Sequence, residues 1–310
     1  MPITRFEDET GANLSTIEKV LLTEHKDELS NTGTSYVNWS IKKQFTDDKK
    51  EIFNGKEITY NLFTFSFIQI PMGLTIDDDS VTTRTGFIIP YEVNGKVKYI
   101  IDKNSSALTI IRKMLLYTKN GAVKKSNIKF VPDEFVWMIS RVYNGENILE
   151  GGSDNLGNVV LNSIRGFKGD TEDSLTTISA EGESVMNIIS TLSFLIESKN
   201  LHQISIDFSY RKHTNVGITL NNRESIFVWE ERYTGELLQS GFYERISKII
   251  LLLYTEVIPI ITQNYQDDED SNAWNQSKCI EFLQNVANEL SEKVKSRIED
   301  LKNSPEQLRL

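Results

Sequence analysis

Cationic side chains are concentrated in one stretch of the chain, and their chemistry is that of anion binding. Nine lysines and arginines lie between Lys96 and Lys129, with a single acid, Asp102, among them. The whole chain has a formal net charge of -10, so this basic segment (residues 96–129) stands out from an acidic protein. Cations on a surface attract phosphates or acidic side chains. The candidate binding residues are Lys96, Lys98, Arg112, Lys113, Lys119, Lys124, Lys125 and Lys129.

The basic segment predicts a surface that binds nucleic acid or an acidic protein partner. Because lysine dominates, nucleic acid would be held through its phosphates rather than read through its bases. Aromatic residues that could stack on bases are few here, namely Tyr99, Tyr117 and Phe130. The alternative interpretation is an ordinary solvated surface, on which lysines keep an exposed hairpin soluble.

Residue patterns for catalysis are weak. A metal-dependent nuclease of the restriction type needs an acidic residue and a Glu-x-Lys sequence on strands, to hold Mg²⁺ and orient water. Residues 197–199 (Glu-Ser-Lys) have these types, with Asp173 or Glu183 upstream. They fall at the end of a predicted helix, where this geometry is not expected. A divergent metal-dependent nuclease is therefore an alternative function, and its catalytic residues are unknown.

Metal and nucleophile chemistry find little support. The chain has one cysteine and three histidines, so we expect no intrachain disulfide, no metal site of thiolate or imidazole type and no cofactor. A Gly-x-Ser-x-Gly elbow and a phosphate-binding Gly-x-x-x-x-Gly-Lys-Ser/Thr loop are both missing from the sequence. A binding protein is therefore favoured over an enzyme.

Composition predicts a globular, cytoplasmic protein. Hydrophobic residues make up 39% of the 310 residues, which is enough for a packed core. The most apolar window, residues 249–261, is too short to span a bilayer core of roughly 30 Å. The N-terminus has no apolar signal region. We therefore expect no membrane insertion. The abundance of Lys, Asn and Ile is typical of a low-GC bacterial genome.

The basic segment is predicted to comprise a hairpin, a helix and a short strand. Asn94-Gly95 is the signature of a two-residue type I′ turn. A serine at position 105 or 106 caps a helix to about Lys119, and a strand follows over 124–131. Pro132 then begins a helix that runs to about Tyr143. Because these elements are contiguous, one coherent basic face is expected.

The predicted fold class is α+β, with two lobes that each combine a mainly antiparallel sheet with packed helices, plus long C-terminal helices. A glycine- and asparagine-rich stretch over 144–157 separates residues 1–147, the N-terminal domain, from residues 148–310, the C-terminal domain. Residues 1–14 are expected to form a loose lead-in. In the second domain a helix over 184–198 precedes a three-strand meander.

Two C-terminal helices predict assembly. The first begins near Gly235 and is expected to kink or end near Ile258, before Pro259, with an acidic loop over 266–272. The second, over 273–302, carries a narrow apolar stripe suited to a partner helix. We therefore expect a homo-oligomer or a subunit of a complex, and a pure scaffold is a further alternative function. The stripe comprises Ile280, Leu283, Val286, Leu290, Val294, Ile298 and Leu301.

The order of elements over 87–114 and 131–143 resembles that in the B proteins of the bacterial Kiwa antiphage system. The resemblance covers a small part of the chain and has no diagnostic motif, so it assigns no residue. It implies a role in antiviral defence. The leading hypothesis is a non-catalytic subunit of a bacterial cytoplasmic multiprotein system that binds nucleic acid or an acidic partner.

Overall fold

The computed structural model describes residues 1–30, 33–103, 105–126, 128–153, 155–170, 177–181, 200–223 and 225–303. These residues form a large antiparallel sheet and several helices, including a long C-terminal one, so the mixed α+β class is confirmed. The helix expected over 184–198, the Glu-Ser-Lys sequence at 197–199, Asp173 and Glu183 all lie outside the described residues.

The chain groups into two units. Unit 1 contains Met1–Ile128, Glu224–Val228 and Gln239–Glu256, and unit 2 contains Lys129–Arg223, Trp229–Leu238 and Val257–Leu310. The two-lobe arrangement and the domain boundary at residues 147/148 stay predictions.

Strands of unit 1 pair in the order β3-β4-β6-β7-β1-β8, and β5 joins β2 to β6. Both Asn-Gly turns form as predicted: φ is 47° and 68° at Asn54 and Gly55, and 52° and 71° at Asn94 and Gly95. The strands are β1 (Pro2–Asp8), β2 (Ser35–Lys43), β3 (Lys49–Phe53), β4 (Lys56–Tyr60), β5 (Phe63–Ile70), β6 (Thr82–Val93), β7 (Lys96–Ile101) and β8 (Val123–Lys125).

The N-terminal residues are part of this sheet, so the expected lead-in is wrong. β1 pairs with β7 on one side and with β8 on the other. From Thr4 to Asp8 its side chains alternate, with Thr4, Phe6 and Asp8 buried and Arg5 and Glu7 partly exposed. The polar residues of β1 obscured a strand that long-range pairing stabilises.

The predicted three-strand meander forms; its first two strands belong to unit 2, and the third, Ile226–Gly235, begins in unit 1 and continues in unit 2. β10 pairs with β9, β11 and β12, and β12 continues into β13 and β14. The helix expected after Pro132 begins and ends as predicted. The strands are β9 (Ile148–Leu149), β10 (Val159–Asp170), β11 (Thr177–Glu181), β12 (Asn200–Tyr210), β13 (His213–Asn221) and β14 (Ile226–Gly235).

The helices of the described chain are α1 (Leu14–Leu21), α2 (Ala107–Met114), α3 (Pro132–Tyr143), α4 (Phe242–Leu252), α5 (Ile258–Asp270) and α6 (Gln276–Asn303).

Helical structure continues beyond Pro259, contrary to the expected acidic loop. A π-helical turn, Leu253–Val257, precedes α5, and Pro259 lies in the first turn of α5. Pro259 removes one backbone donor from this continuous helical run, and the π-helical turn lies directly before it. The stretch Phe242–Asp270 has the length and composition of a membrane span, but 72% of its most apolar window is buried in the protein. Core helices of soluble proteins share these properties.

Candidate functional site

Two lysines of the basic segment flank one carboxylate in the sheet of unit 1. Glu7 on β1 is directly opposite Lys98 on β7 and, on its other side, directly opposite Lys124 on β8. The Lys98 Nζ lies 3.6 Å from the Glu7 Oε1. Lys96 lies two residues from Lys98 and therefore on the same face of the sheet. An acid from β1 thus partly neutralises this cluster.

Arg112 and Lys113 belong to the other face of the sheet. Phe6 and Tyr99, which alternate with Glu7 and Lys98, form the hydrophobic core with Ile110 and Met114 of α2. α2 therefore packs against the sheet face opposite to Lys98 and Lys124. The structure divides the basic segment between two surfaces, although the sequence had suggested one.

The charge of Lys113 is already engaged within the protein. Its Nζ forms an ion pair with Glu28 and lies 4.3 Å from the centre of the Tyr36 ring. Glu28 and Tyr36 form an isolated antiparallel bridge, which holds both side chains in register. Lys113 therefore fixes the segment after α1 to α2 and retains only part of its capacity for an external anion.

Arg112 and Lys113 line a cleft of about 450 Å³. Arg112 is half-buried, and among the described residues its guanidinium has neither a hydrogen-bond acceptor nor an ion-pair partner. Five donors of fixed geometry make such a guanidinium a good ligand for phosphate or carboxylate. The other lining residues are Glu28, Thr109, Leu116, Tyr117 and Thr118.

The C-terminal end of α2 shapes this cleft. Leu116 follows the C-cap residue Leu115 and has φ of 55°, a left-handed conformation that glycine usually supplies. The Leu116 side chain is nevertheless exposed on the cleft wall. Arg112 and Lys113 lie in the last turn, where cations also offset the negative end of the helix dipole. The two cations therefore have a structural role in addition to any binding role.

A buried carboxylate fixes Tyr117 in the cleft wall. The hydroxyls of Tyr99 and Tyr117 donate to the Asp8 Oδ2 over 2.6 and 2.7 Å, and Thr10 donates to the Asp8 Oδ1. Burial, together with the Asp8 carboxylate, raises the pKa of both Tyr99 and Tyr117 above the usual tyrosine value, and hydrogen bonds with Thr10 and Tyr99 offset part of the rise at Tyr117. Both phenols stay protonated at neutral pH and remain donors to Asp8.

The remaining candidate residues lie elsewhere. Lys119 is exposed in the turn after α2, and Lys125 is half-buried opposite Phe6 on β1. Lys129 is exposed and belongs to unit 2. Sequence reasoning missed Glu7, Asp8 and Glu28, because only pairings distant in the chain bring these acids to the basic segment.

The described residues show no arrangement suited to catalysis. Within the part of the chain that the structure describes, no three His, Cys, Asp or Glu side chains are placed to hold a metal ion. The single thiol, Cys279, is half-buried in the first turn of α6, and burial raises its pKa. A raised pKa makes a thiol a weaker nucleophile at neutral pH.

A comparison of the chain with protein-family models finds no match, and a comparison with curated proteins finds no relative.

Proposed function

We propose that this protein is a non-catalytic binding subunit that holds nucleic acid by its phosphates through the α2 cleft. The observation that carries the proposal is the Arg112 guanidinium, which lines the cleft without a partner among the described residues. Thr109, Thr118 and Lys119 supply further donors at or beside the cleft. Arginine, lysine, threonine and tyrosine are the side chains that usually contact phosphate oxygens.

The net charge of -10 restricts how such a surface works. Charges separated by more than about 8 Å are screened at physiological salt, so a local cationic cleft can act within an acidic protein. The acidic remainder disfavours indiscriminate contact along a duplex. We therefore expect few phosphate contacts, a shallow salt dependence and modest affinity.

The test is a charge reversal at Arg112. We expect Arg112→Glu to weaken binding of fluorescently labelled DNA or RNA about tenfold or more, because one phosphate contact is lost and one repulsion is added. Fluorescence anisotropy at several salt concentrations should also show that the slope of log K against log salt falls by about 1.

Lys124→Glu is the matched control. It makes the same change in net charge at an exposed position of the basic segment, but on the opposite face of the sheet. Binding lost in Arg112→Glu and kept in Lys124→Glu supports the cleft. The reverse result assigns binding to the Lys98–Lys124 face. A wild-type protein that binds none of the nucleic acids refutes the proposal and leaves an acidic protein as the partner to test.

A further inference from the structure

The side chains in the second half of α6 are mostly exposed, whereas some near its start are packed against the protein. Near its start α6 is anchored by Phe282, which is 4% exposed and meets the Tyr143 ring edge to face at 5.5 Å, and by the fully buried Val286. Beyond Val286 no described side chain of α6 is fully buried. Residues 290–303, the free segment, form about 21 Å of helix, most of whose side chains are exposed.

Four aliphatic residues of the free segment lie along one line. They are spaced four, four and three residues apart, which returns to the same side of a helix every three turns. Val294 and Ile298 are 43% and 46% exposed, and the outer two are half-buried. This apolar stripe consists of Leu290, Val294, Ile298 and Leu301.

Cations border the apolar stripe on both sides. At roughly 100° per residue, Lys293 and Arg297 fall on one side of Val294, and Lys295 and Lys302 fall on the other. The carboxylates fall on the opposite side of the helix, where Glu289 and Glu292 form ion pairs with Lys293 and Lys295. The cations therefore lie next to the apolar stripe and the carboxylates lie behind them, with Lys293 and Lys295 each paired with a carboxylate of the same helix.

We propose that the free segment docks an amphipathic helix of a different protein, one whose apolar seam is bordered by Asp and Glu. Residues that border a seam between two helices face their counterparts on the partner helix, and opposite charges there select the partner. A second copy of this chain would place cation against cation in either orientation, because both borders are basic. Charge complementarity therefore favours an acidic partner over self-pairing.

An anionic lipid surface fits the free segment less well. The free segment and the preceding Glu289, which pairs with Lys293, together contain four cations and four carboxylates, so their net charge is zero. A membrane surface attracts a helix through the charge summed over about a Debye length, and that sum vanishes here. A helix packed 8–10 Å away contacts the borders, where the charged side chains are all cations, two of them paired with carboxylates that lie behind the border.

The test uses the full-length protein and two labelled synthetic peptides. Both carry a leucine seam; glutamates border it in one peptide and lysines in the other. We expect the glutamate peptide to bind about tenfold more tightly, since several border pairs change from repulsion to attraction. In the double variant Lys295→Glu/Arg297→Glu, which leaves two cations and two carboxylates on the borders, this preference should disappear.

Two point variants separate docking from loss of structure. Val294→Asp should abolish peptide binding, whereas Ser296→Asp, on the exposed opposite side of the same helix, should leave it unchanged. The proposal is overturned if the two peptides bind the wild-type protein equally well or if neither peptide binds. It is also overturned by a dimer, measured by sedimentation equilibrium, that Val294→Asp dissolves, or by binding to phosphatidylglycerol vesicles that Val294→Asp removes.

Discussion

Ionisation of Glu134 lowers the stability of the folded protein as the pH rises, and a mutation can remove this dependence. It lies in the first turn of α3 and is only 1% exposed. Burial raises its pKa to about 7, and the nearby Glu269 carboxylate adds to this rise. Hydrogen bonds from the Val131 backbone and the Thr262 hydroxyl offset part of it. The burial effect therefore outweighs the stabilisation of the charged form.

The sign and size of the effect follow from linkage. Below the ordinary pKa of 4.5 the carboxyl is protonated in both the folded and the unfolded protein. No charge is then buried, so the contribution of Glu134 to the free energy of unfolding is fully favourable. That stability is lost as the pH rises through about 7. The gap between the two pKa values corresponds to about 3 kcal/mol. Above neutral pH the folded protein bears this cost of a buried charge.

Glu134→Gln removes the ionisation while keeping the shape of the side chain. We expect the variant to be stabilised relative to wild type, by a margin that grows by about 2 to 3 kcal/mol between about pH 5 and about pH 8. Urea unfolding can be followed by the fluorescence of Trp137 and Trp274, which are buried in the same unit. Comparing the variant with wild type at each pH cancels the contributions of the other titrating groups, which the two proteins share.

The matched control is Glu292→Gln, at an exposed position of α6, for which the margin over wild type should not vary with pH. A margin for Glu134→Gln that is the same at both pH values would show that Glu134 ionises normally in the folded protein. That result would refute the assignment of a dominant burial effect.

Two further substitutions test one interaction in each unit, a buried ion pair in unit 2 and a close contact in unit 1. Asp207→Asn should lower the free energy of unfolding by about 3 kcal/mol, because Asp207 is 1% exposed and accepts from the Arg165 Nε over 2.6 Å, with Arg232 3.8 Å away. A thermal melt unchanged from wild type would contradict this. Gly86→Ala should cost about 1 to 3 kcal/mol, since its Cβ would come within 2.7 Å of the Phe65 ring; urea unfolding that matches wild type would show that the ring can move aside.

The sequence predicted those features of the fold that short-range chemistry determines. Asn54-Gly55 and Asn94-Gly95 form turns because asparagine and glycine tolerate the positive φ that the turn requires. α3 begins at Pro132 because proline suits a first helical turn. Each feature depends on a few residues that are adjacent in the sequence, so it can be predicted without knowing the rest of the fold.

Long-range pairing determined the features that the sequence did not predict. β1 contains Thr4, Arg5, Glu7 and Asp8, and a segment so polar gives little sign of a strand. It is a strand because β7 and β8, about a hundred residues away, satisfy its backbone on both sides. The absence of β1 from the sequence-based fold also removed Glu7 and Asp8 from the candidate site.

The division of the basic segment follows from the same cause. Alternation along β7 places Lys98 and Tyr99 on opposite faces of the sheet, and α2 packs on the Tyr99 face. Lys98 and Lys124 then share the acid Glu7, and Lys113 pairs with Glu28. Proximity in sequence is therefore a poor guide to which cations can act together. The cation whose charge the described fold leaves unmatched, in a cleft, is Arg112, and that is why the test of function begins there.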